Sequence, residues 1–206
     1  MRLTLSVAAP VCFLFSIAAI DAAPLFRAVQ LPYGISFQLP RNWQTISANT
    51  RTTLDAAVET LTHTEDIATD LAFAANCYDD VGQVVGIFNI RFYPDMVVSQ
   101  QQVADASAAD IAAFDQELRV SLSQSMSEAG LRIVAWNGTK VHAVAGRYML
   151  VTDYQRISMS RGTSFRVRLV RVFNGPKSFT MTVSYRDDAS VFLAPISNKI
   201  MQSLRF

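Results

Sequence analysis

"GISFQLPRNWQTIS", Gly34 to Ser47, alternates and then breaks off at a proline. Ile35, Phe37 and Leu39 are interleaved with Ser36 and Gln38, the period of two expected of a half-buried strand. Pro40 ends the run, because proline has no N–H to give a ladder and holds φ near about −65°. Arg41-Asn42 supply a turn, after which Trp43 can fold back over the strand end as a large apolar lid. The stretch reads as fold construction rather than as a site.

Outward from it, Leu54, Val58 and Leu61 predict a short helix starting near Thr52 or Thr53. Val84 to Tyr93 is strand-like, with Phe88, Ile90 and Phe92 on one face, Asn89 and Arg91 on the other, and Pro94 closing it. Ile111, Phe114, Leu118 and Leu122 mark the stripe of the longest helix, with Ser107 and Asp110 to cap its start and Gly130 its end. Ser99 to Ala106 reads as a connecting loop. From Leu131 the period returns to two, predicting strands at about 131–137, 141–154, 163–173 and 178–185. The turns between them are Asn137-Gly138, Ser160-Arg161-Gly162 and Asn174-Gly175-Pro176. A helix from Val191 to Leu204 follows, capped by Asp187 or Asp188 and either begun or kinked by Pro195. Four strands joined by tight turns make an antiparallel meander, and helices outside it give an α+β sandwich of one sheet and flanking helices.

The 206 residues, half of them apolar, suit one folded domain. The N-terminus differs in kind: Met1-Arg2, an apolar run from Leu3 to Ile20, then Asp21-Ala22-Ala23-Pro24. That order predicts a signal peptide over 1–22, cleaved after Ala22, with a single domain over 23–206 in the periplasm. Pro10 and the shortness of the run argue against a permanent membrane anchor. Cys12 lies inside the run in the wrong context for a lipid anchor. Cys77 is then the mature chain's one cysteine, which excludes an intrachain disulfide; a buried small hydrophobe and a reactive thiol are its two readings.

Taken together, "GISFQLP" with Trp43 behind it, the long central helix, a meander containing "VAGRYMLVTDY" and the closing "PISNKIMQSLRF" resemble the PsbP-like superfamily. That superfamily includes photosystem PsbP subunits, Ran-binding Mog-type proteins and bacterial DcrB-like proteins, and the resemblance spans roughly 33–206. It implies an α-β-α sandwich with a mainly antiparallel sheet that acts as a binding or assembly module. It supplies no shared catalytic residue set.

The residues themselves offer little chemistry. There are two histidines, His63 and His142, and neither lies in a hydrolase, zinc or phosphate motif. His63 with Glu65, Asp66 and Asp70 could surround a cation, but the spacing matches no calcium or zinc loop, and a solvated acidic segment explains them as well. His142 falls within an alternating strand pattern. No catalytic residue, metal or cofactor is expected, and an enzyme is the least favoured class.

Charge placement is the unusual feature. From Arg51 to Gly130 thirteen acids accompany three bases, whereas from Leu131 to Arg186 ten bases accompany Asp153 alone. Arg166 and Arg168 alternate with Phe165, Val167 and Leu169 and so share one sheet face, to which Arg156 and Arg161 can add. Two readings stand: internal neutralisation by the acidic helices, or a basic docking face for another protein with an acidic surface. An exported chain without interleaved aromatics on that face is poorly suited to nucleic acid. The expected function is a periplasmic, non-enzymatic protein-binding module, in its concrete form an immunity or adaptor protein for a toxin or effector. The alternative is a small-ligand or lipid carrier with a pocket between sheet and helices.

Overall fold

In the computed structural model the described residues are 25–47, 49–50, 70–93, 98–175 and 177–206. The signal-peptide segment, the helix expected around Leu54 to Leu61, and His63 with Glu65 and Asp66 lie outside them.

Nine strands and three α-helices are described: β1 (Phe26–Gln30), β2 (Ser36–Pro40), β3 (Gln44–Thr45), β4 (Asp70–Tyr78), β5 (Val84–Tyr93), α1 (Gln100–Ala104), α2 (Ala108–Glu128), β6 (Leu131–Val144), β7 (Arg147–Ser158), β8 (Ser164–Val172), β9 (Ser178–Arg186) and α3 (Ser190–Ser203). β1 and β2 form a separate antiparallel pair, and the other seven make one sheet in the order β3-β4-β5-β9-β8-β7-β6. All its neighbours are antiparallel, so the meander β6 to β9 folds back to pair with β5. The chain is α+β, a mostly antiparallel sheet with flanking helices.

Alternation along the strands sorts two layers. On one face Met149, Val151, Val170, Val172, Phe88 and Ile90 meet the β1–β2 pair and α3, through Phe37, Leu39, Leu193, Ile200 and Leu204. On the other, Tyr154, Val167 and Leu169 meet Leu118 of α2, while Leu150 and Phe173 meet Val103 of α1. The opening strand behaves as its pattern predicts: Ile35, Phe37 and Leu39 are buried and Gln38 is exposed. Phe37, Phe73 and Phe88 form a triangle with centroids 4.8–5.8 Å apart. Trp43 donates its backbone N–H to Pro40 O at 3.1 Å, closing the turn. Its ring, 2% exposed, lies on Gly86, where a Cβ would come within 3.1 Å of Cζ2 and Cη2 and of Cys77 Cβ. Only glycine leaves room for that lid. Cys77 is buried, and burial first, then Asp79, pushes its thiol pKa up, so it is a packed small side chain.

Several boundaries differ from expectation. Asn137-Gly138 is not a hairpin turn: β6 continues to Val144 and absorbs the pair as a register shift between Trp136 and Thr139. The turn is Ala145-Gly146, both at positive φ. Ser99 to Ala106 is no loop, because Ser99 and Gln102 make a capping box that starts α1. Ser107 and Asp110 cap α2 as expected, with Gly130 at φ 68° just past its end. Asp187 and Asp188 do not cap α3; they lie in a 3-10 turn before it and pair with arginines instead, leaving Ala189 as the cap position. Pro195 lies inside α3 rather than beginning it.

Candidate partner-binding surface

One end of the sheet gathers the β4–β5 turn, the β7–β8 turn and the β9–α3 junction. A groove of about 1170 Å³ opens there, lined by Asn76, Gln83, Val84, Ile87, Ser158 to Phe165 except Met159, and Arg186 to Asp188. Arg186 ties two of these connections together, the β9–α3 junction and the β4–β5 turn: it pairs with Asp188, reaches Asp79 Oδ2 at 3.4 Å and donates to Gln83 Oε1 at 3.3 Å. Held by Arg186, the Asp188 carboxyl has a pKa below the usual carboxylate range.

The same end carries unusual apolar exposure. Among the described residues five large apolar side chains are more than two-thirds exposed: Leu25 72%, Val81 77%, Met159 68%, Val191 78% and Phe192 69%. Val81 lies in the β4–β5 turn, Met159 in the β7–β8 turn, and Val191 and Phe192 in the first turn of α3, directly after the β9–α3 junction; Leu25 is elsewhere. Exposed apolar side chains at one end of a fold, rimmed by charged groups, are a feature of contact surfaces.

The four arginines singled out in the sequence do not form one exposed stripe. Arg161, in the β7–β8 turn, is exposed and lines the groove. Arg166 is exposed on the α3 face of β8 and donates Nε to Asp187 at 2.5 Å, a bond that raises its pKa. Arg168, beside it on that face, is only partly exposed: Nε and Nη2 donate to Asp153 at 2.8 and 3.0 Å, and Nη1 donates to Asn198 of α3 at 2.6 Å. This forked pair raises its pKa. Arg156 points to the opposite face, under α2, against Met126 Sδ at 3.8 Å and over the Phe165 ring at 5.9 Å. Burial there lowers its pKa, with Tyr154 opposing the shift.

A second cavity, about 290 Å³, lies on the α3 face between Ala135 and Asn137 of β6 and Asp153, Gln155, Arg166, Arg168 and Tyr185. Arg166 therefore stands between the two cavities, its Nε on Asp187 at the groove rim. Burial raises the Tyr185 pKa. His142 is half-buried in β6, and no group of three metal-ligating side chains occurs among the described residues. No described helix is long and apolar enough to cross a membrane.

Val81, Met159, Val191 and Phe192 were not singled out from the sequence. The signal was present for two of them: the α3 stripe runs through Leu193, Ile196, Ile200 and Leu204, and Val191 and Phe192 fall outside it.

With these features in place, the architecture defines a class: the chain has the PsbP-like fold. It is similar to the solution structure of cyanobacterial PsbP from Synechocystis at a TM-score of 0.56 and 10% identity, covering 93% of this chain and 98% of that one. At that identity the likeness speaks for the fold alone. The chain also matches a Pseudomonas aeruginosa protein of unknown function at TM-score 0.44 and 16% identity, over 88% of this chain and 96% of that one. Mycobacterium tuberculosis LpqN, described as involved in cell envelope biogenesis, aligns at TM-score 0.44 and 11% identity, over 89% and 91%. No family model matches the sequence, and no curated protein matches it either.

Proposed function

We propose that this chain is an exported, non-enzymatic module that binds another protein through the end of the sheet formed by the β4–β5 turn, the β7–β8 turn and the β9–α3 junction. The exposure of Val81, Met159, Val191 and Phe192 at this one end of the sheet carries the proposal. Apolar side chains supply contact area, and Arg161 in the groove, with Arg166 paired to Asp187 at its rim, supplies orientation toward acidic groups on the partner. Arg168 and Arg156 act behind them, the first by fixing β7 and β8 to α3 through Asp153 and Asn198, the second by packing under α2. In concrete form the module is an immunity or adaptor protein that meets a toxin or effector in the periplasm, a version that rests on the export signal and on fold analogy.

The two cavities favour this over a lipid carrier. Both are open and edged by charged side chains, whereas a carrier for an apolar ligand needs an enclosed apolar pocket.

The test is capture of partners from periplasmic extract on tagged mature chain beginning at Ala23, in parallel with Phe192→Asp and Arg161→Glu. One stoichiometric protein retained by the native chain, released by salt and lost with both variants supports the proposal. Retention unaffected by both substitutions sinks it.

A further inference from the structure

β6 is the outermost strand of the seven-stranded sheet, and its far edge pairs with no strand among the described residues. Register shifts break its first half, between Ile133 and Ala135 and between Trp136 and Thr139. From Thr139 to Val144 it runs in unbroken register with Thr152 to Arg147. The hairpin closes on Ala145 and Gly146 at φ 51° and 76°, the two-residue geometry in which the flanking pair, here Val144 and Arg147, exchanges both hydrogen bonds. Alternation along the ladder then turns the N–H and C=O of Ala143, Val141 and Thr139 outward. Tyr148, opposite Ala143, provides an independent check: its own N–H and C=O point away from β6 and bond the Gln100 side chain at 2.7 and 3.0 Å.

The strand's own charge has one sign, the nearby Asp115 of α2 being engaged with Trp136 and Thr139 on the face opposite Lys140 and His142. Leu131 to Thr152 contains Arg132, Lys140 and Arg147 and no aspartate or glutamate. None of these three is in an ion pair among the described residues, whereas Arg166, Arg168 and Arg186 all are. Lys140 and His142 share a face on the unbroken stretch, and Val141, partly exposed, is on the other. A second copy added along β6 would bring Lys140 and His142 against their equivalents with no carboxylate to offset them. An acidic strand would meet complementary charge on one side and an unsatisfied row of donors and acceptors on the other.

We propose that an extended acidic segment of a partner protein adds to this edge as an eighth strand along Thr139–Val144. The inference rests on the partner-binding reading above but places a second contact on a surface separate from Phe192 and Arg161.

The probe is a synthetic peptide alternating glutamate and valine, with a lysine–valine peptide as control, read by amide hydrogen exchange of the full mature chain. The acidic peptide should slow exchange at Thr139, Val141 and Ala143 by about tenfold, less at high salt, and the lysine peptide should not. Val141→Pro removes one outward donor while sparing the β6–β7 ladder and should abolish the protection. Lys140→Glu, a surface change that does not threaten folding, should weaken it several-fold and decides the matter if the proline variant misfolds. Unchanged exchange, equal protection by both peptides, or concentration-dependent protection without peptide, which would mean a second copy is the occupant, overturns the inference. Phe192→Asp should leave the peptide effect intact, so this contact and the sheet-end site can fail separately.

Discussion

The two faces of the sheet are packed by different rules. The core under β1, β2 and α3 is apolar, with Trp43 on Gly86 and the Phe73 ring edge to face with Phe37 and Phe88, and the charged groups of that face, Arg166, Arg168 and Asp153, lie outside this cluster. The Trp43 indole N–H is buried without a hydrogen-bond partner among the described residues, and the ring is held by close packing on Gly86 and Cys77. The face under α2 mixes polar and charged groups into its contacts. Asp115 of α2 accepts from Trp136 Nε1 at 2.9 Å and from Thr139 Oγ1 at 2.7 Å, and Thr139 meets Thr152 at 2.7 Å. Arg156 and Arg171 lie there against Met126 and the Phe114 ring, and burial lowers the pKa of both. The difference teaches that the first face supplies stability, while the second fixes where α2 sits at some energetic expense.

The comparison breaks most visibly at Trp43. Trp43→Ala should destabilise by about 3–5 kcal/mol in urea melts, because the lid over Gly86 cannot collapse. A loss under about 1 kcal/mol would mean that the apolar face does not carry the fold. Asp115→Ala is expected to cost less, about 1–3 kcal/mol, by stranding the Trp136 N–H and the Thr139 hydroxyl, with the change visible in tryptophan fluorescence. Arg156→Met tests the second face from the other side: replacing a cation held by ring and sulfur should leave stability within about 1 kcal/mol or raise it. A large loss there would show the guanidinium to be structural.

The smallest effect is in acid. The Ser107 hydroxyl and backbone N–H hold the Asp110 carboxyl below its usual range, as Arg186 does for Asp188. A carboxylate whose pKa is depressed on folding adds stability above its unfolded pKa of about 3.9 and loses it as pH falls through the folded value. Stability should therefore decline below about pH 4, and Asp110→Asn should flatten part of that decline. Both groups are at the surface, so the slope should be shallow and reduced by salt.

The legible parts of the fold were those with one clean period. β2, β5, α2 and α3 alternate or repeat with one face buried, and their patterns predicted them to within a few residues. β4 did not, because "DLAFAANCY" buries Leu71, Phe73, Ala74, Ala75 and Cys77 without alternation, and alanine is a weak strand former. Asn137-Gly138 misled because the dipeptide that makes a hairpin turn serves equally well in a bulge, and the register that decides lies on β7. At the candidate site the excess of arginine was legible in the residues, but its fate was not. Asp153, Asp187 and Asn198 come from distant positions, and only the folded sheet brings them onto Arg166 and Arg168. Exposure of Val191 and Phe192 needed the helix stripe to be followed to its edge.

Site-specific photo-crosslinking in intact cells tests the central claim most directly, with the crosslinker placed at Phe192 and, as a control, at Val120 on the exposed side of α2. A discrete protein adduct at position 192, absent at 120 and lost when Arg161 is changed to glutamate, is the result expected of a partner-binding sheet end. Equal adducts at both positions, or none at 192 while the partner is present, would contradict it.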